Sequence, residues 1–124
     1  MIPKRENNYS GNTSKTFCGD WCPVGWEDLV EKLHQDIYVI KPDYKIDQIK
    51  EKFGGLRYYI DTYDNDEIQR LIEEAEEKSY TICMYCGSGE GIIRKDNWIE
   101  VSCYECYGNS NRAIRIEQTR KPYG

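Results

Sequence analysis

The sequence is short of aliphatic mass. Ile, Leu, Val and Phe together number 24 of its 124 residues, close to the level at which chains fail to bury enough surface to fold. Histidine occurs once, at position 34, which excludes an HExxH metalloprotease helix, and no GxSxG run supplies a nucleophile elbow. No apolar stretch approaches the length of a membrane span. The opening "MIPKRENNYSGNTSKTF" has no apolar h-region, so the expected location is the reducing cytoplasm, where cysteines serve as metal ligands or free thiols before disulfides. A net charge of −5 provides no general basic stripe for duplex nucleic acid. Any anionic ligand must be small enough to use a local basic pocket.

Eleven Tyr and three Trp make up for the missing aliphatics, and such side chains suit half-wet contact surfaces and ligand pockets. The expectation is one small α+β domain with a thin core, completed by self-association into a homo-oligomer. Charge is unevenly spread. Residues 61–77 hold eight acids against Arg70 alone, whereas residues 107–124 hold Arg112, Arg115, Arg120 and Lys121 against Glu117.

Four segments follow one another. Residues 1–16 read as a polar arm that orders only against something else. Residues 17–80 read as a helix–hairpin–helix core, residues 81–107 as a CxxC…CxxC segment resembling a zinc ribbon, and residues 108–124 as a basic tail. In the core, Trp26, Leu29, Val30, Leu33 and Ile37 form one amphipathic stripe. Asp64 and Glu67 match the spacing of a capping box, and Ile68, Leu71, Ile72 and Ala75 give the second helix, ending near Tyr80. Its Glu-rich outer face reads as solvated surface. His34 borders the first stripe and reads as a boundary packing residue.

Between the helices lies "KEKFGGLRYYI", where Gly54-Gly55 signals a two-residue hairpin loop. That loop would pair Phe53 with Leu56 and Lys52 with Arg57. Alternation then places Ile49, Phe53, Leu56, Tyr58 and Ile60 on one face, with Glu51 the odd member, and Lys50, Lys52, Arg57 and Tyr59 on the other. The first face has the composition of core. The second has that of a seat for an anion with a ring attached.

Cys83-x2-Cys86 and Cys103-x2-Cys106 stand 16 residues apart, a zinc-ribbon or treble-clef spacing. Four thiolates would close the coordination sphere, so such zinc would be structural. Four reduced core thiols are the alternative. Cys18 and Cys22 remain open between buried thiols, a conditional disulfide and half of a metal site. "GSGEG", Gly87 to Gly91, lacks the Lys-Ser/Thr of a phosphate loop and reads as a turn after a metal knuckle. With no base paired to a nucleophile, an enzyme is not expected. The ligand inventory is instead basic and aromatic. It comprises Lys52, Arg57 and Tyr59 on the hairpin, Trp21 before the first helix, Arg94, Asn97 and Trp98 between the knuckles, and Arg112 and Arg115 in the tail. Arginine forks hold phosphate, aromatic faces stack on a base and Asn pairs with an adenine edge, which together fit a nucleotide.

The combination of "CGDWCPVGW", "KEKFGGLRYY" and "ICMYCG…W…CYEC" resembles small phage proteins of the Thoeris anti-defence sponge family, first type, over most of residues 17–107. The resemblance implies a protein that catalyses nothing and sequesters cyclic ADP-ribose isomers, or other cyclic nucleotides, in pockets at homo-oligomer contacts, so that the downstream immune effector stays silent. It also implies an arginine on the phosphates, matched here by Arg57, and an aromatic on the adenine. A zinc-ribbon adaptor for protein or RNA, and a nucleotide hydrolase, are the other two readings of the residues.

Overall fold

The 3-10 turn Val24–Trp26 leads directly into helix α1, Glu27–Ile40, which ends where Pro42 can no longer donate to the helix ladder. The structure, a computed structural model, describes residues 2–10, 22–95 and 99–107. Strands β1 (Ile46–Lys52) and β2 (Gly55–Ile60) form an antiparallel hairpin, followed by helix α2, Asp66–Ser79. A second antiparallel hairpin, β3 (Ile92–Lys95) with β4 (Ile99–Ser102), lies between the two CxxC pairs, and the one-turn helix α3, Tyr104–Tyr107, carries the last cysteine. The fold class is therefore α+β, with a zinc-ribbon-like cysteine cluster at its C-terminal side. No helix among the described residues is long and apolar enough to cross a membrane.

One core joins most of these elements. Trp26, Val30, Leu33 and Ile37 of the first stripe are buried with Ile49, Leu56, Tyr58 and Ile60 of the hairpin and with Ile68 and Ala75 of α2. Met84 and Val101 extend the same core to the knuckles, while Cys83, Tyr85, Cys103 and Cys106 form a small cluster of their own.

Three local details differ from the sequence-based expectation. The hairpin turns on Phe53-Gly54 rather than Gly54-Gly55, with φ of 56° and 86° at the two turn residues. A type I′ turn needs positive φ at both positions, and Phe53 supplies one of them at a cost on the order of 1–2 kcal/mol. The buried Glu51 carboxylate offsets this by accepting the Gly54 N–H at 2.7 Å, which explains a charged residue on the core face. Gly55 serves close packing instead. A Cβ there would lie 2.4 Å from the Tyr80 hydroxyl oxygen. The pairing consequently becomes Glu51 with Leu56, Lys50 with Arg57 and Ile49 with Tyr58. The register moves by one residue on each arm, so both faces keep their members except Phe53, which sits in the turn and is 66 % exposed.

Asn65, not Asp64, caps α2, its side chain accepting the Ile68 N–H at 3.0 Å. His34 is fully buried rather than at a boundary. Its Nε2 lies 2.8 Å from the Pro3 carbonyl, which can only accept, so Nε2 carries the proton. In the neutral ring Nδ1 then accepts from the Tyr44 hydroxyl at 2.6 Å, and Tyr44 in turn accepts from Tyr58 at 2.8 Å.

Residues 2–10 of the arm order against the chain's own body. Arg5 is 1 % exposed and pairs with Glu27 at 2.8 Å and Glu31 at 2.9 Å, both on α1. Asn8 donates to the carbonyls of Pro42 and Tyr44, and Tyr9 forms a parallel bridge to Ile46 on the free side of β1. These residues take their order from α1 and β1, and residues 11–16 of the expected arm lie outside the described residues.

Candidate functional site

The cysteine cluster is built largely by backbone. After Cys86 the chain reverses at Gly87, φ +83°, whose N–H returns to the Cys83 carbonyl at 2.9 Å. Cys83 N–H donates to Ser88 O and Met84 N–H to Val101 O, which clamps the first knuckle against β4. This accounts for "GSGEG" as a knuckle turn. The second knuckle follows β4 at once, with the Cys106 N–H aimed at the Cys103 sulfur, 3.5 Å away. The four sulfurs lie within 4.8 Å of one another, and Cys86 and Cys103 are 3.8 Å apart. Thiolates at about 2.3 Å from a common tetrahedral centre stand about 3.8 Å apart, so the set fits a four-coordinate metal ion.

The thiols differ in how readily they hold charge. Burial, then neighbouring sulfurs, push Cys86 and Cys106 up. Burial also resists charge on Cys83, but hydrogen bonds from the backbone of Cys103, Cys86 and Tyr85 draw it down. A dication at the centre would let all four ionise together. Three of the four are buried, and Cys86 is exposed.

The cluster is tied to α1 through "PVGW". Gly25 N–H donates to Met84 O at 2.9 Å and the Trp26 indole to Ile82 O at 3.0 Å. A Cβ on Gly25 would lie 2.0 Å from the Cys83 carbonyl oxygen. Only glycine permits that approach. Cys22, just upstream, is half-buried with its thiol near Pro23 O, and Cys18 lies outside the described residues.

On the outward face of the first hairpin, Lys50 stands directly across from Arg57. Like charges opposed in this way destabilise a strand pair by a few tenths to about 1 kcal/mol. Arg57 is held by Glu76 of α2, Nη1 to Oε2 at 2.7 Å, and the Tyr80 hydroxyl donates to the same oxygen at 3.3 Å. The guanidinium is thereby fixed, its side chain 25 % exposed. Lys50 Nζ lies 5.9 Å from the centroid of the Tyr59 ring, and Lys52 Nζ 5.8 Å from that of Phe53. Two exposed aromatics and three cations therefore share one short ribbon.

Of the residues that the sequence nominates for a ligand, Lys52, Arg57 and Tyr59 lie along the same hairpin, with Lys52 near its turn and Tyr59 toward its other end. Arg94 does not join them. Gly54 packs toward Ile99 and Val101, whose ladder partners are Lys95 and Ile93, so Arg94 stands on the opposite face of the second hairpin. There it lies over the Tyr107 ring at 4.2 Å and donates to Ser102. Trp21, Asn97, Trp98, Arg112 and Arg115 lie outside the described residues. Glu76 and Tyr80, which orient Arg57, were not nominated; their only sequence signal is an (i, i+4) spacing at the end of α2. No protein-family model, no curated protein and no solved structure matches the chain.

Proposed function

We propose that the chain is a non-catalytic binding protein, its fold locked by a structural zinc ion on Cys83, Cys86, Cys103 and Cys106. Its hairpin face takes an anionic nucleotide of the cyclic ADP-ribose type. The observation that carries the reading is the outward ribbon of Lys50, Lys52, Arg57 and Tyr59, with Arg57 oriented in advance by Glu76. A fork held by one nitrogen keeps its other donors for a phosphate, with little freedom left to lose on binding. The closed set of four thiolates supports a structural role for the metal, since no coordination position is left for water or substrate. His34 supports the absence of catalysis, because both its ring nitrogens are engaged in the core. In the resemblance-based form of this reading, the protein acts in the cytoplasm of an infected bacterium. There it forms a homo-oligomer, holds the immune signal intact and keeps the Thoeris effector inactive.

The test is calorimetry with a panel of cyclic nucleotides, followed by heat denaturation and analysis of what is released. The expected result is one nucleotide class bound and returned unchanged. Arg57→Ala should bind it ten- to a hundredfold more weakly, the loss of a charge-assisted contact of about 1.5–3 kcal/mol. Wild-type affinity in the folded variant would overturn the assignment of this face, and a hydrolysed ligand would make the protein an enzyme. The adaptor reading is favoured by Ile92 and Ile93 of β3, which are exposed on opposite faces of that strand. It predicts no nucleotide binding, or RNA binding with the steep salt dependence of counterion release.

A further inference from the structure

We propose that Cys86 is an oxidation site: a peroxide converts its thiolate to the sulfenic acid, and Cys103 resolves this into a disulfide that joins the two knuckles and expels the metal. The inference rests on the reading of the four cysteines as a metal centre. Two observations carry it. Cys86 is the exposed corner of an otherwise buried set, and it lines an open groove with Val24, Glu27, Leu29, Ile82 and Gly87. The Cys103 sulfur lies 3.8 Å away on the other knuckle.

Oxidation follows thiolate character and access, and a metal-bound sulfur is a thiolate. The Cys86 sulfur attacks one peroxide oxygen; an S–O bond forms, the O–O bond breaks, and the departing hydroxide takes a proton to become water. The Cys103 thiolate then attacks the Cys86 sulfur. An S–S bond forms, the S–O bond breaks, and the second hydroxide leaves as water with a further proton. Two thiolates have lost two electrons, and one peroxide has become two waters. The sulfurs close by roughly 1.8 Å to reach disulfide length, a movement open to the exposed Cys86 side chain. Cys83 and Cys106 alone leave the metal with half of its ligands, so it is released.

The consequence reaches beyond the knuckles. Val101 accepts the Met84 N–H and lies against Gly54 at the tip of the first hairpin. Displacing the first knuckle from β4 removes a support of the ribbon that carries Lys52 and Phe53.

The test treats the full-length, metal-replete protein with increasing hydrogen peroxide, measures freed metal with a colorimetric chelator, and maps thiols by alkylation and tryptic mass spectrometry. Cleavage after Lys78, Arg94, Lys95 and Arg112 separates the two knuckles into different peptides. The expected result is a linked pair of peptides, with fragmentation placing the bond at Cys86 and Cys103, and metal release in step with it at about one equivalent per disulfide. Disulfides confined within one CxxC, or metal retained with Cys86 unmodified while Cys22 oxidises, would overturn it. Metal content before oxidation tests the underlying reading separately. Cys86→Ser should abolish the link, while the wild-type mapping stands if that variant does not fold.

Discussion

The two halves of the molecule are held by different forces. Between α1, the first hairpin and α2, side chains do the work: a stripe of aliphatics at helical spacing meets alternate residues of β1 and β2. From Thr81 to Tyr107 the side chains contribute less. Backbone hydrogen bonds and four sulfurs shape the knuckles, and Ile92, Ile93 and Tyr104 remain exposed. The thin aliphatic content of the chain is thus spent mainly in one half, and a metal centre fits the half that has little. Among the described residues the join includes Gly25 on Met84, Trp26 on Ile82, the burial of Met84 and Val101 in the shared core, and Ile99 and Val101 beside Gly54.

The largest effect should come from breaking that join. Gly25→Ala sets a methyl group against backbone of Cys83, Met84 and Gly87, none of which can rotate away. A cost of at least about 3 kcal/mol is expected, at the upper end for overpacking. Chemical denaturation should show it, together with weakened metal retention. A variant of wild-type stability and metal content would mean that the halves are independent.

A smaller effect sharpens the contrast from the other side. Asn65→Ala removes the cap of α2 and should cost about 1 kcal/mol in denaturant melts, with metal content unchanged because α2 does not touch the sulfurs through that residue. Loss of metal in this variant would show that the first half governs the second.

The smallest concerns alkaline pH and the first half alone. Burial raises the pKa of both Tyr44 and Tyr58, with the hydrogen bond between them lowering the first and raising the second. Both phenols are neutral in folded and unfolded chains below about pH 10, so their contribution is fully present there. Above that pH the unfolded chain ionises first, and stability falls as pH rises toward the raised folded values. Phenolate absorbance should therefore show a late-ionising fraction that includes Tyr44 and Tyr58 and appears together with unfolding. Early ionisation of all eleven tyrosines would contradict the buried chain from His34 to Tyr58.

Much of the fold could be read from the sequence, for definite reasons. The stripe from Trp26 to Ile37 is a long periodic signal, and the spacing of the four cysteines is a geometric one. Both faces of the hairpin were legible because a shift of one residue on each arm preserves alternation. The register was not, because two adjacent glycines had different duties: Gly54 bends the turn, while Gly55 makes room for Tyr80. Nor does local pattern distinguish Asp64 from Asn65 as the cap, since either side chain can accept an amide. The partner of Arg57 was hidden for another reason. Glu76 lies 19 residues away, on a face that reads as plain solvated surface until α2 is laid beside β2.

We propose that a metal centre on the four cysteines holds the knuckle half while side-chain burial holds the other. Hydrogen exchange on purified protein before and after metal removal by a chelator tests it most directly. After removal, the amides of Cys83, Met84, Gly87, Gly91 and the β3–β4 ladder should lose protection, whereas those of α1 and the β1–β2 ladder should keep most of theirs. Equal loss in both halves, or no change in the knuckles, would contradict the claim.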